Sequence, residues 1–102
     1  MRRVVWAERA IGDLEGIIAY LAERNPTAAR RVVDQIEQTG IRLGDMATGR
    51  PGRVAGTYEK VVPGLPYILA YAIQPLPDSA ELIVILRTIH GARDWPKGKW
   101  PD

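Results

Sequence analysis

A chain of 102 residues with 46% hydrophobic and 25% charged side chains has the composition of one small folded domain, not of a disordered segment. It has no cysteine and one histidine, which excludes a disulfide framework and thiolate chemistry, argues against a zinc site, and makes a reducing cytoplasm the expected compartment. The net charge of +2 conceals a skew of eleven arginines to three lysines, so the expected partner is an acidic protein or a nucleic acid.

Residues 3–7, RVVWA, form a short β-prone run. The apolar stretch around it is too short for a signal peptide, and no run reaches the roughly 18–20 apolar residues that span a membrane. From Glu8 the pattern turns helical: Ala10, Ile11, Leu14, Ile17, Ile18 and Leu21 recur at three- and four-residue spacing, and the helix should end near Arg24. Asn25-Pro26 reads as the start of a second helix, with asparagine as the cap and proline at the first helical position. Ala29, Val32, Val33, Ile36 and Leu43 carry its apolar stripe. Gly40 interrupts that stripe, so either a neighbour packs closely there or the helix ends early. The short connection makes the two helices an antiparallel hairpin.

Pro51-Gly52 and Pro63-Gly64 are turn signals, and residues 58–62 between them alternate as a half-buried strand does. YILAYAI (67–73) and LIVIL (82–86) are nearly continuous apolar runs, as expected of central strands, with 74–80 as a proline-containing loop. The expected fold is α+β: β-α-α-β-β-β, a helical hairpin packed on a small, mostly antiparallel sheet. One domain is expected over residues 1–95. Residues 96–102 read as a loosely ordered tail unless Trp100 docks.

Ser79 is the only serine, and no phosphate-binding glycine motif is present. The carboxylates read as solvated helix faces, and no cofactor or metal is expected. A basic set remains in the second half: Arg50, Arg53, Lys60, Arg87, His90 and Arg93, expected to converge on one concave sheet surface. Arg87 shares strand parity with Ile83 and Ile85, and Gly91 is expected to turn the chain after His90. A metal-independent ribonuclease that uses the RNA 2′-hydroxyl needs a base, an acid and a cation for the phosphorane. Arg87, His90 and Arg93 are the candidates. Trp6, Trp95, Tyr67 and Tyr71 read first as packing residues.

The motifs in order are Asp13-Leu14 through Tyr20 (D-L-x-x-I-x-x-Y), the Asn25-Pro26 start, R-P-G-R at 50–53, Y-E-K-V-V, P-Y-I-L-A-Y and I-L-R-T-I-H-G-A-R-D-W. Together they make the chain resemble the toxins of bacterial type II toxin–antitoxin pairs in the RelE/ParE superfamily. The resemblance implies a cognate antitoxin whose C-terminal segment wraps the toxin in a hetero-oligomer. It also implies one of two targets. ParE-like members bind and poison DNA gyrase, whereas RelE-like members cut messenger RNA on the ribosome without metal. Tyr67-Ile68 stands where RelE-like members usually carry an arginine, which points to the ParE side. Arg53, Lys60, Arg87, Arg93 and Trp95 are candidates for binding the target or nucleic acid; in the RelE reading Arg87, His90 and Arg93 are catalytic. Arg30, Arg31 and Arg53 are expected to pair with an acidic antitoxin. A third possibility is an assembly domain with little toxicity left.

Overall fold

A computed structural model describes residues 2–101. The elements run β1 (Arg3–Trp6), α1 (Glu8–Ala22), α2 (Pro26–Arg42), β2 (Arg50–Pro51), β3 (Tyr58–Val61), β4 (Tyr67–Pro75) and β5 (Glu81–His90). The α+β class and the expected order hold, with one further strand: β2, two residues long, at the edge of the sheet. Pro51 is tolerated there because an edge strand need not donate from every N–H.

Five strands form one sheet in the order β1-β5-β4-β3-β2. The β2–β3, β3–β4 and β4–β5 pairs are antiparallel, but β1 runs parallel to β5, so the sheet is mixed. The strand β4 extends through Gln74 and Pro75, which the sequence assigns to a loop, and Pro75 lies opposite Glu81 at the hairpin end.

Asn25 caps α2 as expected, its side-chain oxygen accepting from the Ala28 N–H at 3.1 Å, with Pro26 at the first helical position. The helix runs on past Gly40. The reason is close packing: a Cβ at Gly40 would sit 2.6 Å from Trp6 Cζ2 and 2.9 Å from Ile85 Cδ1. The core between hairpin and sheet gathers Ala10, Ile36, Leu43, Leu69, Tyr71, Ile83 and Ile85, with Val4, Trp6 and Ile17 at its margin. Each fully buried aliphatic side chain contributes about 1.5–3 kcal/mol. Tyr71 donates its hydroxyl to the Thr48 carbonyl at 2.7 Å, and burial is the main cause raising its pKa above the ordinary tyrosine value.

A register shift breaks the parity on which the sequence reading of β5 rests. Tyr71 pairs with Ile85 and Ala70 with Arg87, so Leu86 is an extra residue in a bulge. Adjacent residues of β4 face opposite sides of the sheet, and Arg87 therefore lies on the side opposite Ile85. Thr88 and His90 are turned differently. They pair with Leu69 and Tyr67 on the helix side.

Residues 96–101 pack back onto the far side of the sheet. Gly98 N–H donates to the Arg53 carbonyl at 3.1 Å, the Pro101 carbonyl accepts from Arg87 Nη1 at 3.2 Å, and Trp100 meets Trp95 with ring centroids 6.1 Å apart.

Candidate functional site

Strand β1 pairs with β5 only as far as Ile85, which leaves the outer edge of β5 open beyond that point. Asp13 of α1 fills the gap. Its Oδ2 accepts the Thr88 N–H at 3.0 Å, and the Arg87 guanidinium donates Nε to Oδ2 at 2.7 Å and Nη2 to Oδ1 at 3.2 Å. Arg87 is 3% exposed, and its third nitrogen is held by the Pro101 carbonyl. It is a buried, bidentate ion pair tying helix, final strand and tail together.

The same sheet face carries a second buried carboxylate. Cross-strand pairing lines up Arg50, Glu59, Ala70 and Arg87 in one row. Glu59 is 2% exposed and is wrapped by the R-P-G-R turn: Arg50 Nη2 donates to Oε1 at 3.0 Å, and the Arg53 N–H donates to Oε2 at 2.8 Å. The Arg53 guanidinium lies 3.6 Å from Oε1 and stacks over the Trp95 ring at 4.1 Å. Sequence reasoning took the carboxylates for solvated faces and so missed both anchors. Asp13 stood in the quoted D-L-x-x-I-x-x-Y motif, and that was the one available signal. Glu59 had none beyond its place in an alternating strand.

The basic set therefore does not converge on one surface. Arg50, Arg53 and Arg87 lie on the far side of the sheet, engaged by Glu59 and Asp13. Lys60 pairs with Leu69 on the helix side, where its Nζ donates to Thr48 Oγ1 at 2.8 Å. His90 is exposed; its Nδ1 accepts the Ala92 N–H at 3.0 Å, and its ring meets Tyr67 edge-on at 5.3 Å. Burial raises the Tyr67 pKa above the ordinary value, with Tyr20 adding to the effect. His90 and Arg93 are brought together, and Arg87 is turned away from them.

Two grooves flank the hairpin. One follows α1, with a volume of about 790 Å³, and is lined by Arg9, Asp13, Ile17, Tyr20, Tyr67, Thr88, His90 and Arg93 among others. The other follows α2 in two stretches of about 290 and 350 Å³ that share Pro63. Ala28, Arg31, Val32, Gln35, Thr39, Leu43 and Met46 line it at helical spacing, with Lys60 opposite. Arg30 and Arg31 are exposed and form no ion pair among the described residues. Val32 and Leu65 belong to both grooves.

Residues 4–95 match the family described as the ParE toxin of the type II toxin–antitoxin system parDE. The chain belongs to the ParE toxin family. It is 36% identical over 97 residues to the toxin candidate Y4kP of Sinorhizobium fredii, covering 94% of this chain and 95% of that one. It is 31% identical over 94 residues to toxin RelE2 of Caulobacter vibrioides, covering 91% and 99%. Among solved structures, a chain from the chromosomal ParDE TA system of P. aeruginosa has the same fold, with a TM-score of 0.78 at 23% identity over 88% of this chain and 96% of that one. Among the described residues of this ParE-family chain no helix is long and apolar enough to cross a membrane.

Proposed function

We propose that this ParE-family toxin acts in the cytoplasm by binding and poisoning DNA gyrase. A cognate antitoxin neutralises it. The observation that carries the reading is the state of Arg87. A ribonuclease of the metal-independent kind must offer a cation to the phosphorane. Here that cation is buried with every guanidinium nitrogen already bonded, so a phosphate would have to displace Asp13 and Pro101 to reach it. His90 and Arg93 are left without a hydrogen-bonded acid partner among the described residues, which is a poor acid–base set and an ordinary protein-binding surface.

The α2 groove suits the antitoxin. It is mostly apolar, follows the helix for several turns, and has Arg31 and Lys60 on its walls. An amphipathic helix with acidic flanks fits that pattern. The alternative, a ribosome-dependent cut, draws on His90 and Arg93 sharing the α1 groove with Tyr67, and on the name of the Caulobacter relative.

Pulse-labelling of DNA and protein synthesis after induction of the toxin alone tests the proposal. DNA synthesis should stop first, with translation following later. Immediate translational arrest with cleaved messages and continuing replication contradicts it. Normal growth would leave the chain as an assembly domain.

A further inference from the structure

A glycine inside a helix loses stability relative to alanine, so each one on the hairpin needs a reason. One has its reason inside the chain: a Cβ at Gly40 would strike Trp6. Gly12 and Gly16 have none: a Cβ at either position meets nothing within 4 Å. Both line the α1 groove, one turn apart, and leave bare backbone at those two points of its helical wall.

The opposite wall supplies an independent observation. Thr88 lines the same groove, is 3% exposed, and its Oγ1 has no hydrogen-bond partner among the described residues, although its N–H is satisfied by Asp13. A buried hydroxyl left without a partner is costly, and native structures keep few of them. Charge gives a third constraint. Arg9, His90 and Arg93 surround the groove, while its one carboxylate, Asp13, is already engaged by Arg87.

We propose that the α1 groove is the surface by which this toxin grips its target, and that its occupant is an acidic helix of the target protein. The inference rests on the reading of the chain as a protein-binding toxin and assigns that activity a place. The occupant's backbone lies against Gly12 and Gly16, where the missing side chains allow close approach of two helix axes. A carboxylate or carbonyl oxygen of the occupant accepts the Thr88 hydroxyl, and acidic side chains meet Arg9 and Arg93. Tyr20, 59% exposed at the end of the stripe, is the aromatic anchor. The lined stretch from Arg9 to Tyr20 is about 17 Å long, enough for three turns of a partner helix. Because the two grooves share Val32 and Leu65, an antitoxin segment that runs along α2 past Leu65 blocks the target's seat. Neutralisation then needs no change in the toxin's fold.

Binding to gyrase holoenzyme and thermal unfolding, measured on Gly12→Ala, Gly16→Ala, Gly16→Leu and Thr88→Val, test the inference together. The alanine variants and Thr88→Val should unfold at the same temperature as wild type or higher, because each removes an intrinsic cost. Gyrase affinity should nonetheless fall, several-fold for the alanine and valine variants and about tenfold or more for Gly16→Leu. Wild-type affinity in all four overturns the α1 assignment and leaves the gyrase reading standing. A lowered unfolding temperature in both alanine variants overturns the premise that this flank is open. Failure of the wild-type chain to bind gyrase removes the target reading and this inference with it.

Discussion

Replacing Arg87 by alanine removes one half of the buried pair with Asp13. Breaking a buried ion pair from one side typically costs about 3–5 kcal/mol, because the remaining charge is left uncompensated. For Arg87→Ala the lower end applies: Asp13 is 11% exposed, keeps the Thr88 N–H, and has Arg9 at 3.7 Å. Asp13→Ala should cost more. It strands a guanidinium whose side chain is 4% exposed, and it orphans the Thr88 N–H, which alone costs about 1–3 kcal/mol. Against a total stability of about 5–15 kcal/mol, the second variant approaches the unfolding threshold. In a domain of this size each kcal/mol moves Tm by about 4–8 °C, so Arg87→Ala should lower Tm by about 12 °C or more. The double variant Asp13→Leu/Arg87→Met, which replaces the pair with apolar groups, should recover the charge penalty and end within about 1–3 kcal/mol of wild type, the Thr88 N–H still lacking its acceptor. Thermal unfolding and urea denaturation, both followed by tryptophan fluorescence, measure all three, and growth arrest on induction supplies the second readout. The double variant should still arrest growth, since Arg87 acts through the fold. Two results refute this reasoning: an Arg87→Ala Tm within a few degrees of wild type, or a stable double variant that has lost its toxicity.

Gly40→Ala should destabilise by about 1–3 kcal/mol despite alanine's better helix propensity, because the new methyl strikes Trp6 and Ile85; thermal unfolding of the variant checks it. Arg30→Glu/Arg31→Glu should weaken rescue by the antitoxin without reducing growth arrest by the toxin alone, which co-expression with the adjacent reading frame will show. Alkaline titration of tyrosinate absorbance should find Tyr67 and Tyr71 ionising above the ordinary value near 10. The sign follows from the raised folded-state pKa. The folded chain keeps these protons when the unfolded chain has lost them, so this contribution to stability is complete below the unfolded pKa and is lost as pH rises through the folded one.

Local signals carried much of the fold. The apolar periodicity of residues 10–21, the Asn25-Pro26 start and the conflict at Gly40 each led to a feature that the structure contains, because helices are specified by neighbours three and four residues apart. Pairings between distant segments left weaker traces. Nothing in RVVW says that it will lie parallel to residues 82–85, since its partner is separated from it by the whole hairpin and three strands. The bulge at Leu86 is invisible in an apolar run, yet it decides which side of the sheet receives Arg87. Arg87, His90 and Arg93 looked like one constellation by proximity in sequence, but Arg87 and His90 stand three apart on one strand and so face opposite sides; the bulge before them decides which side each takes. Glu59 was hidden for a different reason. A buried carboxylate is expected only once its arginines are known to fold back on it, and the R-P-G-R turn shows this only in three dimensions.

The gyrase assignment is tested most directly by adding the purified chain to purified gyrase and plasmid DNA and scoring supercoiling together with trapped, cleaved DNA. Supercoiling should stop and cleaved complexes accumulate, with full activity restored by stoichiometric antitoxin. Untouched gyrase, alongside cutting of ribosome-bound message by the same preparation, would contradict it.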